Sequence, residues 1–123
     1  MKRRFRLTRS SDIERVRRLG RSYPHPLVIL IASPNQLDQV RVGVAAGRSV
    51  GTAVVRNRAK RLLRACVDGY LLDLVPGWDL FLLARKALPE AGYQKTRAAL
   101  TSVLRRGNLL VLTHGRDEPG ISE

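Results

Sequence analysis

The segment Val54-Val55-Arg56-Asn57-Arg58-Ala59-Lys60-Arg61-Leu62-Leu63-Arg64 constrains the fold more than any other stretch of this chain. From Arg56 to Arg64 it carries five cations in nine residues and no acid. Wound into a helix at about 100° per residue, it sets Val55, Ala59, Leu62, Leu63, Cys66 and Tyr70 on one arc. Lys60, Asn57, Arg64 and Arg61 fall on the opposite arc, with Arg56 and Arg58 at its two borders. Such a helix must bury one face on a core and offer the other to something polyanionic. A solvated helix normally interleaves Glu or Asp at i±4 to relieve self-repulsion. Here like charges stack at Arg56, Lys60 and Arg64, which costs helix stability unless a polyanion compensates. Seven basic residues and no acid occur from Arg41 to Arg64.

The rest of the chain agrees with that demand. Its 123 residues suit one domain with a single core, and with only 5% aromatic residues that core must be Leu, Val, Ile and Ala. Net charge is +13, and 19 of the 23 basic residues are Arg, whose planar donors suit phosphate. Nucleic acid is the leading partner and an acidic membrane surface the next. Cys66 is the sole cysteine, so no intramolecular disulfide forms, and its place on the apolar arc reads as a small buried hydrophobe. The apolar runs Leu27 to Ala32 and Leu80 to Ala84 are too short to span a bilayer. Asp12 and Glu14 interrupt the Arg-rich start and no apolar h-region follows, so a cytoplasmic protein is the simplest reading.

Along the chain, residues 1–9 form a basic arm expected to order only on binding. Ser10 or Ser11 is the expected cap of a short helix, with Glu14 completing a capping box and Ile13, Val16 and Leu19 as its apolar side. Gly20 closes it, and Pro24 and Pro26 start the next element. Leu27 to Ala32 reads as a buried strand, and Val40 to Ala45 alternates as a second, antiparallel to the first. A glycine loop from Gly47 to Gly51 leads to Thr52, which caps the long basic helix running to about Gly69. Pro76-Gly77 marks a turn, and Trp78 to Ala84 is a third strand, central because it is so apolar. A last helix covers about Tyr93 to Arg106, burying Ala98, Ala99, Leu100, Val103 and Leu104, and Gly107 stops it. Residues 113–123 read as a disordered tail, leaving 1–112 as the domain. The order α-β-β-α-β-α makes an α+β two-layer sandwich.

A search for catalytic groups mostly fails. His25 and His114 are isolated, so neither zinc nor a Cys-His pair has usable spacing. Asp68, Asp73 and Asp79 share no face and read as single surface carboxylates. Ser49 and Thr52 have no neighbouring base. The loop Gly47-Arg48-Ser49-Val50-Gly51-Thr52 lacks the spacing and Lys of a P-loop. It still leaves free amides at a helix N-terminus beside Arg48, which could hold one phosphate of a polymer or simply make a turn. No helix-turn-helix, dimerisation heptad or RRM signature decides between DNA and RNA. Residue chemistry alone ends at a phosphate-binding α+β module.

Longer motifs go further. Arg41-Val42-Gly43, Gly51, Ala53-Val54, and Arg56-Asn57-Arg58 followed by Lys60-Arg61 and Arg64 strongly resemble the protein subunit of bacterial ribonuclease P. Arg6-Leu7, Asp12, Gly20 and Ala84-Arg85 fit as well, so the resemblance runs from about residue 4 to 106. It implies an accessory subunit of a ribonucleoprotein endonuclease that removes the 5′ leader of precursor tRNA. The RNA subunit would hold the catalytic Mg2+ and perform the hydrolysis, so no catalytic residue is expected in the protein. The resemblance also implies a left-handed βαβ crossover around the basic helix, against the usual right-handed preference.

The same resemblance assigns RNA binding to Arg48, Arg56, Asn57, Arg58, Lys60, Arg61 and Arg64. It implies a cleft for the single-stranded leader between the sheet and the first helix, with Arg9, Ile13, Arg17 and Ile31 as candidate lining. Family members often place stacking aromatics there. Ile13, Arg17 and Ile31 stand where aromatics are frequent, and neither Phe5 nor Tyr23 clearly substitutes. The implied partners are ribonuclease P RNA and precursor tRNA, with no membrane and no obligate protein partner. A different class, a non-catalytic ribosome-associated or general RNA-binding protein, would use the same basic module.

Overall fold

A computed structural model describes residues 1–111, so the expected tail at 113–123 lies outside the described residues. Three helices, α1 (Ser10–Leu19), α2 (Ala53–Asp68) and α3 (Leu88–Arg106), pack on a four-stranded sheet of β1 (Arg21–Pro24), β2 (Val28–Pro34), β3 (Arg41–Ala46) and β4 (Trp78–Ala84). The sheet order is β1-β2-β4-β3. The α+β sandwich expected from the sequence is therefore present, with one added edge strand. β1 spans only four residues, three of them exposed, and contains Pro24, so it carries almost no periodic signal.

β4 is central, as its apolar run predicts. It pairs antiparallel with β2 and parallel with β3. β2 and β3 do run antiparallel, but β4 is inserted between them, so they share no ladder. The parallel β3-α2-β4 unit is the crossover that carries the basic helix. Burial explains this placement. β4 alternates Leu80, Leu82 and Ala84 toward one face and Asp79, Phe81 and Leu83 toward the other. The first set joins Val28, Leu30, Ala32 and Val42 under α2 and α3 in the main core. The second face is thinner, with Leu7, Val16 and Phe81 as its fully buried members.

Local chemistry sets the helix limits. Thr52 caps α2 as expected, its Oγ1 accepting from the Val55 amide at 3.4 Å. α1 instead takes Arg9 as its N-cap with no side-chain cap, so the capping box from Ser11 to Glu14 does not form. Leu19, expected on the apolar side, is 66% exposed, leaving Val16 as the one fully buried α1 residue. α3 begins five residues earlier than Tyr93, but Gly92, at φ +81°, breaks it there. Ala98 is exposed, and Thr96 takes a buried place in its stead.

The basic arm is packed rather than free. Leu7 donates its amide to the Val42 carbonyl at 2.9 Å and is buried against the sheet's thin face. The Met1 ammonium lies 3.3 Å from Asp68 at the far end of α2. Gly43 permits this approach, because a Cβ there would stand 2.8 Å from the Leu7 carbonyl oxygen.

Candidate nucleic-acid interface

α2 docks through Ala59, Leu63, Cys66 and Val67, all buried, with Val55, Leu62 and Tyr70 packed partly against the same core. Its outward stripe is Val54, Asn57, Arg58, Arg61, Ala65 and Asp68, spaced three and four apart. Arg58 therefore stands in the middle of the open face rather than at its border. Arg56, Lys60 and Arg64 form a half-buried row along one flank, with their stems against the protein and their charges free to reach solvent. Arg48 sits exposed in a short 3-10 turn, Arg48–Val50, one residue before the α2 cap at Thr52. The six assigned residues of α2 thus lie away from its buried face, and Arg48 precedes its N-terminus in sequence.

None of those cations has an acidic partner among the described residues, whose ion pairs involve only Met1, Arg15 and Arg41 as cations. The contrast with the opposite sheet face is sharp. Asp79 is not a surface carboxylate; it is fully buried on β4. Arg41 donates to both of its oxygens at 2.8 Å, Arg15 to one at 2.5 Å, and Asn35 to the other at 2.9 Å. Burial alone would raise its carboxyl, but the bonds from Arg41, Asn35 and Arg15 outweigh that and hold it below the ordinary carboxylate value. Asp12 lies 3.4 Å from Arg41 and closes the cluster as two cations against two carboxylates. Spacing could have hinted at this site, since an acid two residues before Phe81 in a buried strand must face that side and find partners.

Ile13, Arg17 and Ile31 all lie between α1 and this face of the sheet. Ile13 and Ile31 pack on the cluster of Leu7, Val16 and Phe81. The Arg17 guanidinium lies over the Phe81 ring, 5.6 Å from its centroid. Phe81 is the aromatic that sequence reasoning missed. Its alternation within β4 could have placed it here, but it is 2% exposed, roofed by neighbours rather than open. Arg9 stands one turn earlier, exposed, with its carbonyl accepting from the Ile13 amide at 3.0 Å. A shallow hollow of about 460 Å³ runs along Ser10, Ile13, Glu14, Arg17 and Arg18. Neither face brings three His, Cys, Asp or Glu side chains together as metal ligands among the described residues.

A cationic helix lies on one side of the sheet and a shallow hollow along α1 on the other, and the chain carrying them has relatives along nearly its whole length. The ribonuclease P protein component of Herpetosiphon aurantiacus is 34% identical over 119 residues, spanning 97% of this chain and 94% of the relative. That of Chloroflexus aggregans is 37% identical over 111 residues, spanning 89% and 82%. Among solved structures, the RNase P protein from Thermotoga maritima superposes with a TM-score of 0.74 at 26% identity, covering 82% of this chain and 96% of that one. The RNase P protein of Staphylococcus aureus has the same fold, with a TM-score of 0.78 at 21% identity over 86% and 97%. Residues 1–108 match the Ribonuclease P family model, and on this match and these relatives the chain belongs to the ribonuclease P protein family.

Proposed function

We propose that this chain is the protein subunit of a ribonuclease P ribonucleoprotein, assisting endonucleolytic removal of the 5′ leader from precursor tRNA. The outer face of α2, which carries no acid from Val54 to Ala65, carries the reading. Asn57, Arg58 and Arg61 point outward, Arg56, Lys60 and Arg64 flank them, and Arg48 extends the patch to the helix N-terminus. Such a surface neutralises closely spaced phosphates of a folded RNA while its apolar side stays docked. The leader would lie in the groove beside α1, over Ile13, Arg17 and Ile31, with Arg9 at its entrance. Mg2+ and the hydrolytic step are assigned to the RNA subunit; the protein's own groups bind, orient and screen charge. No described helix is long and apolar enough to cross a membrane, and we place the chain in the cytoplasm with its RNA partners.

Reconstitution with a bacterial ribonuclease P RNA and precursor tRNA tests this. The chain should stimulate cleavage at the mature 5′ end at low Mg2+, and Arg58→Ala or Arg61→Ala should weaken that stimulation without unfolding the protein. A chain that binds the RNA but leaves cleavage unchanged is instead a general RNA-binding protein.

A further inference from the structure

We propose that Asp79 and Arg15 are positioning residues that set the roll of α1 over the sheet, and thereby the leader groove, an assignment that rests on the leader reading above. α1 has little apolar anchorage, since Val16 is its one fully buried residue. On the helical wheel Arg15 and Arg17 stand about 100° to either side of Val16. Both are tied down. Arg17 lies over the Phe81 ring, and Arg15 bonds Asp79 at 2.5 Å while its second nitrogen reaches the Pro34 carbonyl at 3.4 Å. One contact is a cation–π contact with little directionality; the other is a directional charge-assisted bond to a carboxylate that cannot move.

That carboxylate cannot move because Arg41 of β3 and Asn35 of the β2–β3 connection hold its other lone pairs. Asp79 and Phe81 are two residues apart on one strand face, so the anchor and the ring under Arg17 share a rigid frame about 7 Å long. A change at Arg15 should therefore rotate Ile13 and Arg17 relative to Phe81 and Ile31 while leaving α2, on the opposite face, in place.

The test compares holoenzymes on two precursor tRNAs, one with a long single-stranded leader and one with a single-nucleotide leader. Arg15→Gln removes the α1 bond while Arg41 and Asn35 still satisfy Asp79, so the fold should survive. It should raise KM for the long-leader substrate about tenfold, leaving its kcat, the short-leader substrate and affinity for the RNA subunit unchanged. Arg15→Lys, which keeps a cation for Asp79, should recover most of the loss. Asp79→Asn should show the same selective effect if it folds. An equal loss on both substrates, no loss with Arg15→Gln, or no recovery with Arg15→Lys overturns the proposal. Wild-type holoenzyme that does not distinguish the two substrates would overturn the leader reading, and this assignment with it.

Discussion

The sharpest quantitative consequence concerns which cations are free. Among the described residues, Arg58 and Arg61 stand exposed on α2 without acidic partners, whereas Arg15 and Arg41 are bound to Asp79. The perturbation is the double change Arg58→Ala, Arg61→Ala. Each lost phosphate contact removes about 0.7 from the log–log slope of affinity against salt for single-strand-like sites, and about 0.9 for duplex-like ones. Two contacts therefore flatten the slope by about 1.4 to 1.8. Over a roughly fourfold rise in monovalent salt the double variant should lose about tenfold less affinity than wild type. Stability should move the other way. The double change removes the i,i+3 like-charge pairs Arg58–Arg61 and Arg61–Arg64, each worth about 0.2–0.5 kcal/mol of repulsion. Unfolding free energy should thus rise by about 0.4–1 kcal/mol. Filter binding to the RNA subunit across a salt series, with thermal melts of the free protein, reads both quantities. Arg15→Gln is the control and should leave the slope unchanged, because that charge is already spent. A double variant with the wild-type slope, or an equal flattening by Arg15→Gln, would refute the division into free and spent cations.

Other expectations follow from the packing. Gly43→Ala would put a Cβ 2.8 Å from the Leu7 carbonyl oxygen and 3.4 Å from the Phe81 ring. It should cost about 1–3 kcal/mol in urea unfolding by displacing the arm from β3. Because the Asp79 pKa is lowered in the fold, its contribution is complete above the ordinary Asp value of about 3.9 and is lost as pH falls below it. Wild type should therefore weaken more steeply than Asp79→Asn between about pH 4 and pH 2 in denaturant titrations. Burial raises the Cys66 thiol, so a bulky thiol reagent at mild alkaline pH should label it only at the rate of unfolding or local opening. Labelling as fast as a free thiol would contradict that packing.

Much of the fold was legible where one periodicity governed a long segment. α2 combines an apolar arc with a cap at Thr52, and β4 is apolar through almost every position, so both were readable as elements and as neighbours of the core. The finer burial of α2 was not. Equal angular steps put Arg58 at a border and Lys60 opposite the core, but α3 covers one side of α2 and the sheet another. The open stripe is consequently rotated toward Arg58. β1 and the packing of the arm were not legible because their order comes from tertiary pairing. Arg21–Pro24 is held by its register with β2, and Leu7 by one amide bond to β3 and the space at Gly43. Asp79 was misread because its partners lie 64, 38 and 44 residues away in sequence, at Arg15, Arg41 and Asn35. Single-segment patterns carry no record of such pairings.

The same distances explain why net charge is a blunt guide to this protein. A value of +13 counts Arg15 and Arg41 alongside Arg58 and Arg61, although the first pair is neutralised by Asp12 and Asp79. Removing the acids would not simply make the surface more attractive to RNA. It would strand two guanidinium groups beside the thin sheet face and release α1 from its anchor. Asp12 and Asp79 thus stand where geometry is held, while α2 carries no acid from Val54 to Ala65. Asp68, at the end of the open α2 stripe, fits the same division, since it binds the Met1 ammonium and tethers the arm. One sheet face thus uses charge to fix shape, and the proposed function gives the cations over the other face to RNA. A mutation that adds an acid to the outer face of α2, such as Ala65→Glu, should therefore impair RNA affinity even though it removes no cation. Repulsion of phosphate and competition for Arg61 and Arg64, the latter adjacent in sequence and the former one turn away, both act in that direction.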